Sequence, residues 1–189
     1  MSDAVQGAPV AHKPAPSRAT RLNRTVMLGS ALLLALTMAA VEAPAVAAGG
    51  SSSAEPAKGS QAALILRLVK QAVGHGFRMG TEGPKYFDCS GLIWSVYKRA
   101  GLVSRIGGAR RGATGYLHWA QKHGRINRHN PQVGDVILWG DHGRARHSGI
   151  YIGNGRAISA LNRKLGVRNH PMRWIHMRIL GYVHTGITR

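Results

Sequence analysis

Acidic residues are scarce in this 189-residue chain: 7 Asp and Glu stand against 26 Lys and Arg, a formal charge of +19. An excess of that size concentrates polyanions at the surface, so nucleic acid, anionic lipid and anionic wall polymer must be separated by other features. Cysteine occurs once, as Cys89. A single thiol excludes an intrachain disulfide framework and any multi-cysteine zinc or iron–sulfur site. No apolar run reaches the roughly 20 residues of a spanning helix. The longest, residues 26–41, is closed by Glu42. There is no internal repeat, and no glycine pattern of the phosphate-loop or dinucleotide type, so nucleotide chemistry is not indicated. With 44% apolar and 17% charged residues the chain can still bury a core. Its length suits one domain of roughly 100–150 residues and a leader.

The leader has a recognisable grammar. Residues 1–25 are polar and carry Arg18, Arg21 and Arg24; the uncharged apolar run follows, then Pro44 and the small residues Ala45-Val46-Ala47. That order is the n-region, h-region and cleavage site of a secretory signal peptide. Cleavage is predicted after Ala47, giving a secreted product rather than a permanently anchored one. Residues 48–60 are small and polar, a flexible linker, and the folded domain is expected over 61–189. Removing 1–47 leaves 22 Lys and Arg against 5 Asp and Glu, so a formal +17 belongs to the exported part.

Within the domain the apolar period changes from helical to extended. Gln61 to Val73 places Leu64, Ile65, Leu68, Val69 and Val73 at helical spacing, and Gly74 and Gly76 end the run. Asp88 precedes a second helical run from Cys89 to Tyr97, and Tyr116 to His123 predicts a third, short helix. Val136 to Trp139, Gly149 to Ile152, Arg156 to Leu161 and Met172 to Val183 are strand-like runs separated by turn residues. Helices first and strands after predict an α+β domain, with N-terminal helices packed on a central antiparallel sheet.

Cys89 falls at a helix N-terminus, where backbone N–H groups and the helix dipole favour a thiolate. A lone helical cysteine is otherwise an ordinary small buried group. Export tips the balance toward chemistry, because an unpaired thiol in an oxidising compartment is a hazard unless used. A nucleophilic cysteine needs a histidine to take its proton and return it to the leaving group. Of ten histidines, His147 is the candidate, at the start of the strand His147 to Gly153 with Gly149 leaving room for another backbone. His118, His123, His129, His170 and His176 lie in polar, basic surroundings and read as solvated surface groups. The pair His142 and His147 lacks a neighbouring carboxylate or thiolate, so no metal site is assigned.

Phe87-Asp88-Cys89-Ser90-Gly91-Leu92, Gly134-Asp135-Val136-Ile137-Leu138 and His147-Ser148-Gly149-Ile150-Tyr151-Ile152-Gly153-Asn154-Gly155 closely resemble, in order and spacing, the three motif blocks of the NlpC-type cysteine peptidases, papain-like bacterial cell-wall hydrolases. The resemblance implies a papain-like α+β fold over residues 61–189. It also implies cleavage of peptide stems in peptidoglycan, typically between γ-D-glutamyl and a diamino acid, without a cofactor. By position Cys89 is the nucleophile and His147 the base, with the oxyanion met by amides at the start of the Cys89 helix. Asp88 reads as the helix N-cap, Asp135 as a turn residue beginning the central strand, and Ser90 as a substrate contact or a second cap.

Two positions depart from the family pattern. The residue that orients the histidine, twelve positions after it, is usually His and sometimes Asn, Gln or Glu; here it is Ser159, a shorter and uncharged partner. Asn162 is the alternative if the strand turns or bulges, since alternation places it on the other face. Phe77 stands where many members have a tyrosine pointing toward the cysteine. The expected partners are peptidoglycan stem peptides and, through the basic surface, anionic wall polymers. No specific nucleic-acid readout and no permanent membrane span are expected, as there is no recognition helix or aromatic stacking motif. Two rival readings are a non-catalytic wall-binding module of the same fold and a related Cys-His amidase or acyltransferase.

Overall fold

The computed structural model describes residues 57–189. The signal-peptide reading, the cleavage site and most of the linker lie outside the described residues. Ser60 caps the first helix, α1 (Gln61–Gln71), its Oγ accepting from the Ala63 amide at 3.1 Å. Ala62, Ile65, Leu66, Leu68 and Val69 form the buried stripe; of the residues marked by the spacing, Ile65, Leu68 and Val69 are in it, Leu64 is only partly buried, and Val73 lies beyond the helix and is exposed. Two short parallel strands, β1 (Gly76–Phe77) and β2 (Tyr86–Phe87), flank a loop that leads into α2 (Cys89–Arg99). A 3₁₀ turn over Val103–Ile106 and α3 (Ala113–Lys122) complete the helical half. α3 begins three residues before the predicted Tyr116, with the extended Gly112 as its N-cap and no side-chain cap.

Six strands follow: β3 (Ile126–Asn127), β4 (Val136–Asp141), β5 (Arg144–Tyr151), β6 (Arg156–Ala160), β7 (Val167–Pro171) and β8 (Arg178–Val183). They pair antiparallel in the order β3-β8-β4-β5-β6-β7. The predicted α+β class is therefore observed. Three features differ from the sequence reading. β5 begins at Arg144, so His147 is an interior strand residue rather than the first. β7, like the two-residue strands β1, β2 and β3, has no counterpart among the strand-like runs. The run Met172 to Val183 is strand only from Arg178, because Met172–Trp174 close a 3₁₀ turn after Pro171.

Side chains alternate across the sheet, which gives it two apolar faces. Val136, Leu138, Ile150, Ile158 and Ala160 pack with Ile65, Val69, Leu92, Ile93, Val96 and Leu117 of the helices. Ile137, Trp139, Tyr151, Ala157 and Tyr182 lie on the opposite face, covered by Met172, Ile175, Met177 and Ile179. The mixed segment 172–179 thus covers the second face. Burial of β4 on both sides explains why its sequence is a continuous apolar run rather than an alternating one. The Tyr97 hydroxyl donates to the Gly134 carbonyl and fastens α2 to the turn before β4.

Candidate active site

The first turn of α2 is fixed by one carboxylate. Asp88 Oδ1 accepts from the Gly91 amide at 2.6 Å and from the Ser90 hydroxyl at 2.9 Å; Oδ2 accepts from the Gly80 amide at 2.7 Å and from Arg110 at 3.1 Å. Arg110 also pairs with Glu82 at 2.9 Å. Asp88 is therefore an N-cap, as its position suggested, and it also ties the preceding loop to the helix. Gly91 is required by the same closure: a Cβ there would stand 2.1 Å from the Thr81 carbonyl oxygen. With its hydroxyl turned to Asp88, Ser90 presents no side-chain donor of its own to a substrate.

Cys89 occupies the first helical position and is half-buried. Burial raises its thiol pKa, and the Asp88 charge adds to the rise; Ser148 and the Ser90 amide oppose it. The expected thiolate is thus not favoured at rest, because desolvation outweighs the helix terminus. The Ser148 hydroxyl lies beside the thiol but is buried without a regular hydrogen bond, so this contact is one of proximity. Ser148 adjoins His147 in the chain, so β5 carries the imidazole past the thiol. Cys89 and His147 are not hydrogen-bonded to each other.

His147, 8% exposed, sits opposite Trp139 in the β4–β5 register, with the rings 5.4 Å apart. A register shift just beyond this pair, between Trp139 and Gly140, bends the ladder next to this imidazole. His147 Nε2 lies 2.9 Å from Ser159 Oγ, and the same oxygen lies 2.8 Å from His170 Nε2. His170 Nδ1 is 2.9 Å from the Pro171 carbonyl. Ser159 and His170 are fully buried. His170 is therefore not the solvated group its polar neighbours suggested: the β6–β7 hairpin folds it onto the sheet face that carries His147. Desolvation, reinforced by His170, lowers the His147 pKa to about 4; desolvation also lowers that of His170, against the Pro171 hydrogen bond. Both rings are neutral near pH 7.

The remaining candidates have other engagements. Asn162 Oδ1 accepts from the amides of Lys164 and Leu165 at 3.0 and 2.9 Å, closing the β6–β7 turn, and does not meet His147. Phe77 packs at the edge of the helical core. Asp135 is more than a turn residue. It is fully buried, accepts from the Gln132 amide at 2.9 Å and from His184 Nδ1 at 2.8 Å, and anchors β4 to the chain after β8. His142 sits at the β4–β5 turn, and no cluster of three or more metal-ligating side chains exists among the described residues. A groove of about 600 Å³ opens beside His147, lined by Leu161, Leu165, Arg173, Trp174 and Met177 among others. A thiol next to β5, a neutral imidazole and an adjoining groove form an arrangement that can support thiol attack on a peptide carbonyl.

A family model described as the NlpC/P60 family matches residues 74–183. The probable endopeptidase p60 of Listeria monocytogenes is 30% identical over 112 residues, 58% of this chain and 21% of that protein. Murein DD-endopeptidase MepH of Escherichia coli is 32% identical over 118 residues, 60% of this chain and 42% of that protein. The chain thus spans a fifth of the length of the first relative and less than half of the second. The structure of NlpC1 from Trichomonas vaginalis superimposes with a TM-score of 0.58 at 23% identity, over 69% of this chain and 46% of that one. The fold is accordingly the papain-like α+β type.

Proposed function

This chain belongs to the NlpC/P60 family, and from that premise we propose that it is an exported peptidoglycan endopeptidase in which Cys89 is the nucleophile and His147 the general base. The observation that carries the reading is the buried, neutral His147, held through Nε2 by Ser159 and borne on the strand that passes the Cys89 thiol. Its Nδ1 is the nitrogen left to take a proton.

The reaction follows from those roles. His147 removes the thiol proton as sulfur attacks the amide carbonyl carbon, and the oxyanion is met by amides at the start of α2 that have no intrahelical partner. Collapse breaks the C–N bond, and the leaving amine takes the proton from His147. Water, activated by the same ring, then hydrolyses the thioester, releasing a carboxylate and restoring the thiol. The resting pair is a neutral thiol and a neutral imidazole, so proton transfer accompanies attack rather than preceding it.

The proposed bond joins γ-D-glutamyl to a diamino acid in the stem. The groove beside His147 would hold the stem, and the basic surface of the exported chain would adsorb to anionic wall polymers. Incubating the chain from Ala48 with purified peptidoglycan and identifying released muropeptides by mass spectrometry tests the assignment. Stems ending in γ-D-glutamate support it; opened D,D cross-links instead would reassign the bond. A second reading, a wall-binding module without turnover, is favoured by the raised thiol pKa and the missing Cys89–His147 hydrogen bond. It predicts sedimentation with the wall and no fragments.

A further inference from the structure

The direction of every hydrogen bond behind His147 can be assigned from its far end. The Pro171 carbonyl oxygen can only accept, so His170 Nδ1 carries a hydrogen and donates to it across 2.9 Å. A neutral His170 then has a lone pair on Nε2, and the Ser159 hydroxyl 2.8 Å away must donate to it. With its hydrogen committed, Ser159 Oγ has only lone pairs to offer His147 Nε2 at 2.9 Å. His147 must therefore be the Nε2–H tautomer, with its lone pair on Nδ1. Burial of all three side chains keeps water from competing for these positions.

We infer that His170 is a positioning residue for the base, acting through Ser159 to hold His147 in the tautomer that accepts the thiol proton. A serine alone cannot do this, because its hydroxyl rotates and donates as readily as it accepts. The converse case makes the point: a donor in place of His170 Nε2 would turn the Ser159 hydroxyl toward His147 Nε2. That would leave the base with its hydrogen on Nδ1 and unable to receive one. The departure at position 159 is thus completed by the neighbouring strand. Arg156, hydrogen-bonded to Asn169 on β7, places a positive charge near His170 and disfavours its protonation. Ring contacts hold the geometry: Trp139 lies 5.4 Å from His147 and 6.3 Å from His170, and Trp174 stacks on His170 at 6.1 Å and 15°.

The inference rests on the proposed role of His147, but the state of its ring can be measured without any substrate. In ¹⁵N-labelled full-length chain near pH 7, nitrogen shifts distinguish protonated from unprotonated ring nitrogens. The expected result is hydrogen on Nε2 alone in His147 and on Nδ1 alone in His170. Hydrogen on His147 Nδ1 or on His170 Nε2 would overturn the inference. His170→Phe, which keeps a ring and removes the acceptor, should give mixed His147 tautomers and lower kcat by roughly 10–100-fold at unchanged KM. His170→Gln, which keeps an acceptor oxygen, should recover most of kcat and guards against a merely misfolded first variant. Unchanged tautomer and kcat in His170→Phe, or no recovery in a folded His170→Gln, would also overturn it. The expected tautomers in a chain that cleaves nothing would sustain the hydrogen-bond assignment while removing the peptidase reading.

Discussion

At the scale of single residues, the proposed catalysis depends on the protonation of the half-buried Cys89 and the buried His147. Desolvation holds His147 neutral down to about pH 4, so the acid limb of kcat/KM should fall near pH 4 rather than near the ordinary 6.5 of histidine. A pH–rate profile checks this; a limb near 6.5 would mean that His147 titrates as an ordinary solvated imidazole and that its burial does not hold in solution. Ser159→Ala leaves two buried ring nitrogens without their shared partner, an expected loss of about 1–3 kcal/mol in stability, seen by denaturant titration, together with a fall in kcat. The placement of Cys89 and His147 was legible in the sequence because its signals are local: a cap and a helix start around the first, a strand with a nearby small residue for the second. His170 was not. Its role arises from pairing across the β6–β7 hairpin, and its immediate neighbours Arg168 and Asn169 are exposed.

At the scale of elements, the loop before α2 and the helix itself are one unit joined by Asp88. Gly91→Ala would drive a methyl group into the Thr81 carbonyl, so the loop must shift and the thiol with it. The expected cost is about 1–3 kcal/mol in thermal or denaturant unfolding, with a larger proportional loss of turnover. An unchanged melting curve would show that the loop yields freely. Gly149 plays a matching part on the sheet, where a Cβ would stand 2.9 Å from that of Ser159. The strands β4 to β6 were visible as apolar runs bounded by turns, whereas β7, Val-Arg-Asn-His-Pro, has neither an apolar run nor alternation. Residues 172–177 carry enough apolar side chains to resemble a strand, but they serve as a cover over the second face of the sheet instead.

At the scale of the whole molecule, titration and charge become measurable together. An unfolded histidine protonates near 6.5 and the folded His147 only near 4, so the unfolded state binds the extra proton and stability falls as pH drops between those values. The loss from His147 is about 3 kcal/mol, since each tenfold change in proton affinity is worth about 1.4 kcal/mol, and His170 adds to it in the same sense. Asp135, its pKa raised by burial above the ordinary carboxylate value, acts in the opposite sense, adding stability as pH falls toward that value, and so offsets part of the decline. Denaturant melts from pH 7 to 4 should show this decline, and a flat profile would contradict the burial of neutral rings. The chain beyond the proposed cleavage site carries a formal +17, so its adsorption to isolated walls should weaken steeply between about 0.1 and 1 M salt as the screening length shrinks from about 10 to 3 Å. Sedimentation with the wall measures it. The central claim is that the thiol of Cys89 performs the cleavage, and its most direct test is release of soluble muropeptides by the intact chain beside Cys89→Ala, with matched melting curves. Fragments are predicted from the first and none from the second; equal release by a folded Cys89→Ala would contradict the claim.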